Sequence, residues 1–247
     1  MIQCVLKVHM NSEVDFDDIE AVLFDFDGTL VHLNIDFARM RADVEALLPR
    51  YDLSVDGKAS RYTLELVEEC VQALTVRNRG EVLAEAFRRD AEAAIVAIEM
   101  EAASAAEIHP GVPELLAGLR EREIKIGIVT RNCRVAVEHI LSRNRLPYDA
   151  LLTRDDVDVV KPDPAHLLAA LELLGVAPDR ALMVGDHPMD VRAGRAVGAR
   201  TVAVLTGYSP AERFLPEQPD LILEWVGELT IYLEDSHHRD TESTELV

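Results

Sequence analysis

The stretch Ala21-Val22-Leu23-Phe24-Asp25-Phe26-Asp27-Gly28-Thr29-Leu30 holds the fold and the chemistry of this chain in ten residues. Its first half is a continuous apolar run rich in β-formers, the pattern of a parallel strand buried on both faces. Two carboxylates two residues apart then stand at the end of that run, and Gly28 supplies a turn that lets both reach one ligand. A lone pair of loop aspartates is usually just solvated. An apolar strand running into Asp25, Asp27 and Gly28-Thr29-Leu30 is far more specific.

Working outward, similar apolar runs occur at residues 125–130, 181–184, 201–205 and 221–223, with a weaker one at 150–153. Amphipathic helical patterns separate the later ones: residues 113–122 with proline in the first turn, residues 134–143 with Val137, Ile140 and Leu141, and residues 164–174 with Leu167, Leu168, Leu171 and Leu174. Strands alternating with such helices predict βαβ units, a parallel sheet and an α/β Rossmann-like core. In such sheets the ligand lies beyond the carboxyl ends of the strands. Between the first run and the second, about 95 residues carry no strand signal. Phe37, Met40, Val44, Leu47 and Leu48 fall on one helical face, Leu64, Val67, Val71 and Leu74 on another, and an Ala-rich stretch follows over 81–106. A crossover does not require so much chain, so residues 32–108 are expected to form an inserted α-helical subdomain. The core is then 20–31 plus 109–233, preceded by an extension over 1–19, in which Met10 is a candidate start, and followed by a frayed polar tail over 234–247.

Three further segments carry chemistry, each expected at a strand end. Thr130-Arg131-Asn132 offers a hydroxyl and main-chain N–H groups opening onto a helix, an anion site or a plain helix cap. Lys161-Pro162-Asp163-Pro164 holds a cation stiffly before a helix. In Gly185-Asp186-His187-Pro188-Met189-Asp190, two carboxylates about one helical turn apart can approach a single hard cation.

In order and context these segments resemble the four-motif signature of the haloacid dehalogenase superfamily. The resemblance spans roughly residues 20–230. His109-Pro110-Gly111-Val112-Pro113-Glu114-Leu115-Leu116 and Lys161-Pro162-Asp163-Pro164 resemble its phosphoglycolate phosphatase-like subgroup, whose α-helical cap is inserted after the first motif. The resemblance implies a phosphoric monoester hydrolase acting on a small phosphorylated metabolite. Asp25 would be the nucleophile that forms an aspartyl-phosphate, and Asp27 the acid and then the base. Mg²⁺ would be held by Asp25, the Asp27 main-chain carbonyl and Asp186, with Asp190 as a water-bridged ligand or a support. Thr130 and Lys161 would bind the transferring phosphoryl group, joined by Asn132 and by Arg131, which departs from the small residue common at that position. The dehalogenases proper lack the second aspartate, because halide leaves without a proton, so Asp27 argues for phosphoryl transfer. His187, His32 and Arg39 are weaker candidates for substrate contact. The rival readings are a phosphomutase of the same fold and a non-catalytic regulatory or binding relative.

Composition narrows the remaining classes. A formal net charge of −20, from 45 acidic residues against 25 basic, repels phosphate backbones and anionic lipid, so neither nucleic acid nor bare membrane is an expected partner. Cys4, Cys70 and Cys133 form no pair pattern and are expected as free thiols in a reducing, cytoplasmic setting. No Cys-x₅-Arg loop surrounds Cys133, which excludes a cysteine phosphatase.

Overall fold

A computed structural model describes residue 16 and residues 18–54, 62–76 and 80–232. Most of the N-terminal extension with Met10 and Cys4, the predicted break at Asp56–Gly57 and the polar tail lie outside the described residues. The chain divides into two compact units, one of Asn34–Ala105 and one of the residues before and after it.

The larger unit holds a six-stranded sheet. Its strands are β1 (Ala21–Phe24), β4 (Lys125–Val129), β5 (Ala150–Leu152), β6 (Ala181–Gly185), β7 (Arg200–Val204) and β8 (Leu221–Leu223), with β2 (Val31–His32) and β3 (Glu107–Ile108) forming a separate ribbon. The spatial order is β5-β4-β1-β6-β7-β8, and every pairing within it is parallel. Phe24 stands level with Ile128 on one side and Val184 on the other. The residues that follow these three strands therefore emerge at the same edge. All four residues of β1 are buried, as are all five of β6. Strands so placed cannot alternate apolar with polar residues, which is why their sequences read as continuous apolar runs.

Helices α4 (Val112–Glu121), α5 (Arg134–Asn144), α6 (Ala165–Leu174) and α7 (Pro188–Val197) connect the strands. Each buries an apolar stripe at helical spacing: Val112, Leu115, Leu116 and Leu119 in α4, and Leu167, Ala170, Leu171 and Leu174 in α6. The α6 stripe packs with Leu23, Val129, Leu152 and Met183 from four neighbouring strands. Truncating such a buried leucine to alanine typically costs about 2–5 kcal/mol.

The smaller unit consists of α1 (Phe37–Glu45), a 3₁₀ turn over Leu48–Tyr51, α2 (Thr63–Thr75) and α3 (Gly80–Ser104). Its buried residues include Met40, Val44, Leu66, Val67, Leu74, Phe87, Ala91, Ile95 and Ile98. Tyr51 donates to Asp90 at 2.7 Å, and the Arg39 guanidinium donates to Glu101 at 2.8 Å.

Two expectations need correction. The stretch between the first two long strands is not free of strand, because Val31 pairs with Ile108 and His32 with Glu107 in antiparallel register. Two residues are too few to show any periodicity. Phe37, placed on the buried face by its spacing, is 54% exposed. It is the first residue of α1, where no preceding turn covers it. Among the described residues, Cys70 and Cys133 are buried and form no disulfide, and no helix is long and apolar enough to cross a membrane.

Candidate active site

The site is assembled where β1, β4 and β6 end. Asp25 leaves β1 with its N–H bonded to the Val184 carbonyl at 2.8 Å, which ties the first carboxylate to the neighbouring strand. The chain then turns through Gly28, whose φ of +87° is a conformation that residues with a Cβ rarely adopt. Space excludes a side chain as well, since a Cβ there would lie 2.5 Å from Asp186 Oδ2. Thr206, on the loop after β7, donates to the Gly28 carbonyl at 2.5 Å and pins the turn.

Lys161 enters from the opposite side, and here the sequence expectation is corrected. It does not follow a strand directly: β5 ends at Leu152, and a 3₁₀ turn at Arg154–Asp156 intervenes. Its ammonium lies 2.6 Å from Asp25 Oδ1 and 2.7 Å from Asp190 Oδ1, with the lysine side chain 1% exposed. Burial alone would drive this group toward the neutral amine. The adjoining charges of Asp190 and Asp25 outweigh it and hold the pKa above the ordinary lysine value.

Asp186 and Asp190 come from the end of β6 and the first turn of α7. Asp190 accepts the His187 N–H at 3.1 Å, and His187 Nδ1 accepts the Met189 N–H at 3.2 Å, a reciprocal cap on the helix. Asp186 accepts from the Thr29 hydroxyl at 3.2 Å. Carboxylate oxygens of Asp25, Asp186 and Asp190 all lie within 4.8 Å of one another, and all three residues are buried. Burial first, then the charges of Asp25 and Asp190, push the Asp186 carboxyl well above its usual range, against a smaller pull from Thr29. Asp190 is raised as well, by burial and by Asp25, with Lys161 opposing. One ammonium is too little positive charge to keep three buried carboxyls ionised together, which is why two of them are raised. Hard oxygen donors gathered around that deficit suit a divalent cation such as Mg²⁺.

Asp27 is held by a second set of contacts. The Asn132 side-chain amide donates to both its oxygens, at 3.0 and 3.2 Å, and the Thr130 hydroxyl approaches at 3.3 Å. Thr130 Oγ1 also accepts the Asn132 N–H at 3.0 Å, and Asn132 Oδ1 accepts from Cys133 N at 2.8 Å. The two residues expected to bind substrate are thus directed at the second aspartate. Arg131 Nη1 reaches across to Met189 Sδ at 3.3 Å, next to the α7 cap. The His187 imidazole is lowered to about 4 by burial, then by the charge of Arg213. His32 instead makes an edge contact with His109, with ring centroids 6.0 Å apart. Arg39 belongs to the smaller unit and pairs with Glu101 there.

Sequence reasoning passed over Thr29, Thr206, Gly207 and His166. A Cβ at Gly207 would fall 1.7 Å from Asp186 Oδ2. Signals for three of these were present: Thr29 lies inside the first motif, while Thr206-Gly207 directly follows an apolar strand at the expected ligand edge.

Comparison with known proteins identifies the family. The model of the haloacid dehalogenase-like hydrolases matches residues 19–198. Pyrophosphatase PpaX of Bacillus cereus (strain AH820) is 31% identical over 233 residues, covering 88% of this chain and 97% of its own length. A haloacid dehalogenase-like hydrolase from Bacteroides fragilis superposes with a TM-score of 0.61 at 26% identity, over 85% of this chain and 99% of its own. A predicted phosphoglycolate phosphatase from Haemophilus somnus shares the fold, with a TM-score of 0.60 at 20% identity over 87% of this chain and 98% of its own.

Proposed function

The chain belongs to the haloacid dehalogenase-like hydrolases, and from that premise we propose that it is a Mg²⁺-dependent phosphatase of small phosphorylated metabolites working through an aspartyl-phosphate on Asp25. One observation carries the reading. Asp25 is a buried carboxylate whose Oδ1 is clamped by Lys161 at 2.6 Å, within reach of Asp186 and beside an independently held Asp27. The likeness to a relative named pyrophosphatase supports phosphoryl chemistry and makes a diphosphate a natural first substrate to assay.

Asp25 and Asp186 would hold the cation by side chain. Asp190, whose two oxygens already accept from Lys161 and the His187 N–H, would support them. When bound, Mg²⁺ supplies positive charge that screens the anionic nucleophile from the anionic phosphoryl group. Lys161 fixes the rotation of the Asp25 carboxylate and presents positive charge to the transferring oxygens. Asp25 attacks phosphorus and the ester bond breaks. Asp27, protonated from solvent as substrate enters, gives that proton to the leaving oxygen, then takes one from the water that cleaves the acyl-phosphate, releasing phosphate and returning Asp25. Thr130 and Asn132 orient Asp27, and Thr130 turns its hydroxyl to the phosphoryl group when substrate enters. The test is release of free phosphate from a panel of phosphate esters and diphosphates at fixed Mg²⁺, with Asp25→Asn as the control. Turnover equal to the parent in that variant would overturn the reading.

A further inference from the structure

Lys161 is held at its main chain as well as at its ammonium. Its N–H donates to Nδ1 of His166 at 3.2 Å, and His166 lies in the first turn of α6 with no exposed surface. For Nδ1 to accept that bond, the neutral ring must carry its proton on Nε2. Nε2 is itself buried and meets no hydrogen-bond partner. The Leu152 carbonyl draws on the ring without reaching hydrogen-bond geometry, and that same carbonyl accepts the Thr130 N–H at 2.9 Å. The imidazole is therefore wedged between the turn that carries Lys161 and the strand end that carries Thr130. A buried polar atom without a partner is unfavourable, and an apolar side chain of similar size would avoid it. What the apolar side chain would lack is Nδ1.

We propose that His166 is a positioning residue for the phosphoryl site, holding the Lys161 main chain through Nδ1 so that its ammonium meets Asp25 and Asp190 together. This rests on the role given to Lys161 above. Burial keeps the ring neutral, with a pKa of about 4, so the acceptor is present at physiological pH. Lys161 enters from a turn rather than from a strand, so no sheet ladder fixes its backbone, and His166 supplies that constraint.

The test compares His166→Leu, which removes the acceptor, with His166→Asn, whose Oδ1 falls near the Nδ1 position. Each is made in the parent and in a Lys161→Met background, with kcat and KM measured on p-nitrophenyl phosphate and folding checked by circular dichroism. Loss of a group that orients a site residue typically costs about 10–100-fold. His166→Leu should lose that much in kcat/KM, and His166→Asn should recover most of it. In the Lys161→Met background the leucine substitution should change little, because a residue acting through Lys161 has nothing left to position. An equal loss in both backgrounds, or parent-like activity in His166→Leu, would overturn the proposal. Should the leucine variant not fold, His166→Gln replaces it, since its side-chain oxygen falls near Nε2 instead; equal activity of the Asn and Gln variants then overturns it. A second readout stands apart from turnover. Imidazole ¹⁵N shifts at pH 7 should show Nε2 protonated and Nδ1 bare, and Lys161 N–H exchange should quicken in His166→Leu. The opposite tautomer or unchanged exchange would refute the positioning even if the parent hydrolysed no phosphate ester.

Discussion

Lys161 Nζ lies 2.7 Å from Asp190 Oδ1, so the carboxylate one turn into α7 is bound to the lysine rather than left to the cation cluster alone. Both side chains are almost fully buried, at 1% and 2% exposure. Removing one partner of a buried pair strands the other, typically at about 3–5 kcal/mol. Lys161→Met should therefore lower the urea midpoint strongly and cut kcat/KM on p-nitrophenyl phosphate to a small, still measurable residue. Added Mg²⁺ should restore part of the stability, because a divalent cation compensates the stranded carboxylates. Unfolding curves of both proteins at several Mg²⁺ concentrations check this, and an unchanged midpoint in Lys161→Met would refute the pairing.

Gly207 tests the packing around Asp186, the carboxylate proposed to hold Mg²⁺. A Cβ at that position overlaps Asp186 Oδ2 at 1.7 Å, so Gly207→Ala must displace the carboxylate or the loop after β7. Displacement of a ligand by about 1 Å is enough to cost roughly 10²-fold in rate. Mg²⁺-dependent turnover should fall by about that factor, with a higher Mg²⁺ requirement and native circular dichroism. A variant with parent activity would mean that this loop moves aside freely.

These contacts mark where sequence reading succeeds and where it stops. The α/β core was legible because β1, β4 and β6 are buried on both faces and so write unbroken apolar runs. Asp25, Asp27 and Asp186 were legible because each stands at the end of such a run. The Lys161–Asp25 contact joins residues 136 positions apart, and no local pattern encodes it. The β2–β3 ribbon is too short for periodicity. His166 reads from sequence as one more residue near the start of an apolar helix, since Nδ1 acquires meaning only once Lys161 folds against it. Asn132 was expected on substrate, and its bonds to Asp27 depend on a turn whose direction the sequence does not show.

Metal binding should be visible without turnover. A cation that binds the folded cluster and not the unfolded chain raises stability by about 2.7 kcal/mol at a hundredfold excess over its dissociation constant. Mg²⁺ should raise the melting temperature of the parent protein and shift Asp186→Asn far less. Activity should vanish in EDTA, return with Mg²⁺, and return poorly with Ca²⁺, whose coordination is longer and looser. Full activity in excess EDTA would rule out the metal assignment.

His166 also predicts an acid limb in stability. Its folded-state pKa is lowered to about 4, by burial first and then by Lys161 and Arg131, with Asp25 and the Leu152 carbonyl opposing. The unfolded chain takes up a proton near pH 6.5, while the folded ring does so only near 4. Stability is thus fully present above about 6.5, falls as pH drops through that window, and levels off below it. The slope approaches about 1.4 kcal/mol per pH unit, or roughly 3 kcal/mol across the window. Urea unfolding at pH 7, 6, 5 and 4.5 should show the parent losing about one proton's slope more than His166→Asn. Parallel pH profiles would refute the assignment.

The two aspartates of the first motif should fail in different ways. Asp25→Asn removes the nucleophile, so every substrate should lose turnover whatever its leaving group. Asp27→Asn keeps Asp25, Lys161 and the Asp186 cluster, but presents an amide to Thr130 and Asn132, which now donate to a carboxylate. What disappears is the proton donor of the first step and the base of the second. An alkyl phosphate needs that proton and should slow by about 10²–10⁴-fold, the usual range for one acid–base group. p-Nitrophenyl phosphate does not, because its phenolate leaves unaided. Asp27→Asn should therefore release a rapid burst of phenolate close to one per site, followed by slow turnover while the aspartyl-phosphate waits for water. Stopped-flow absorbance separates the two phases, and acid quenching in the plateau should trap phosphate on Asp25. Alkyl phosphate hydrolysis at the parent rate in Asp27→Asn, or substantial turnover in Asp25→Asn, would show that these roles are misassigned.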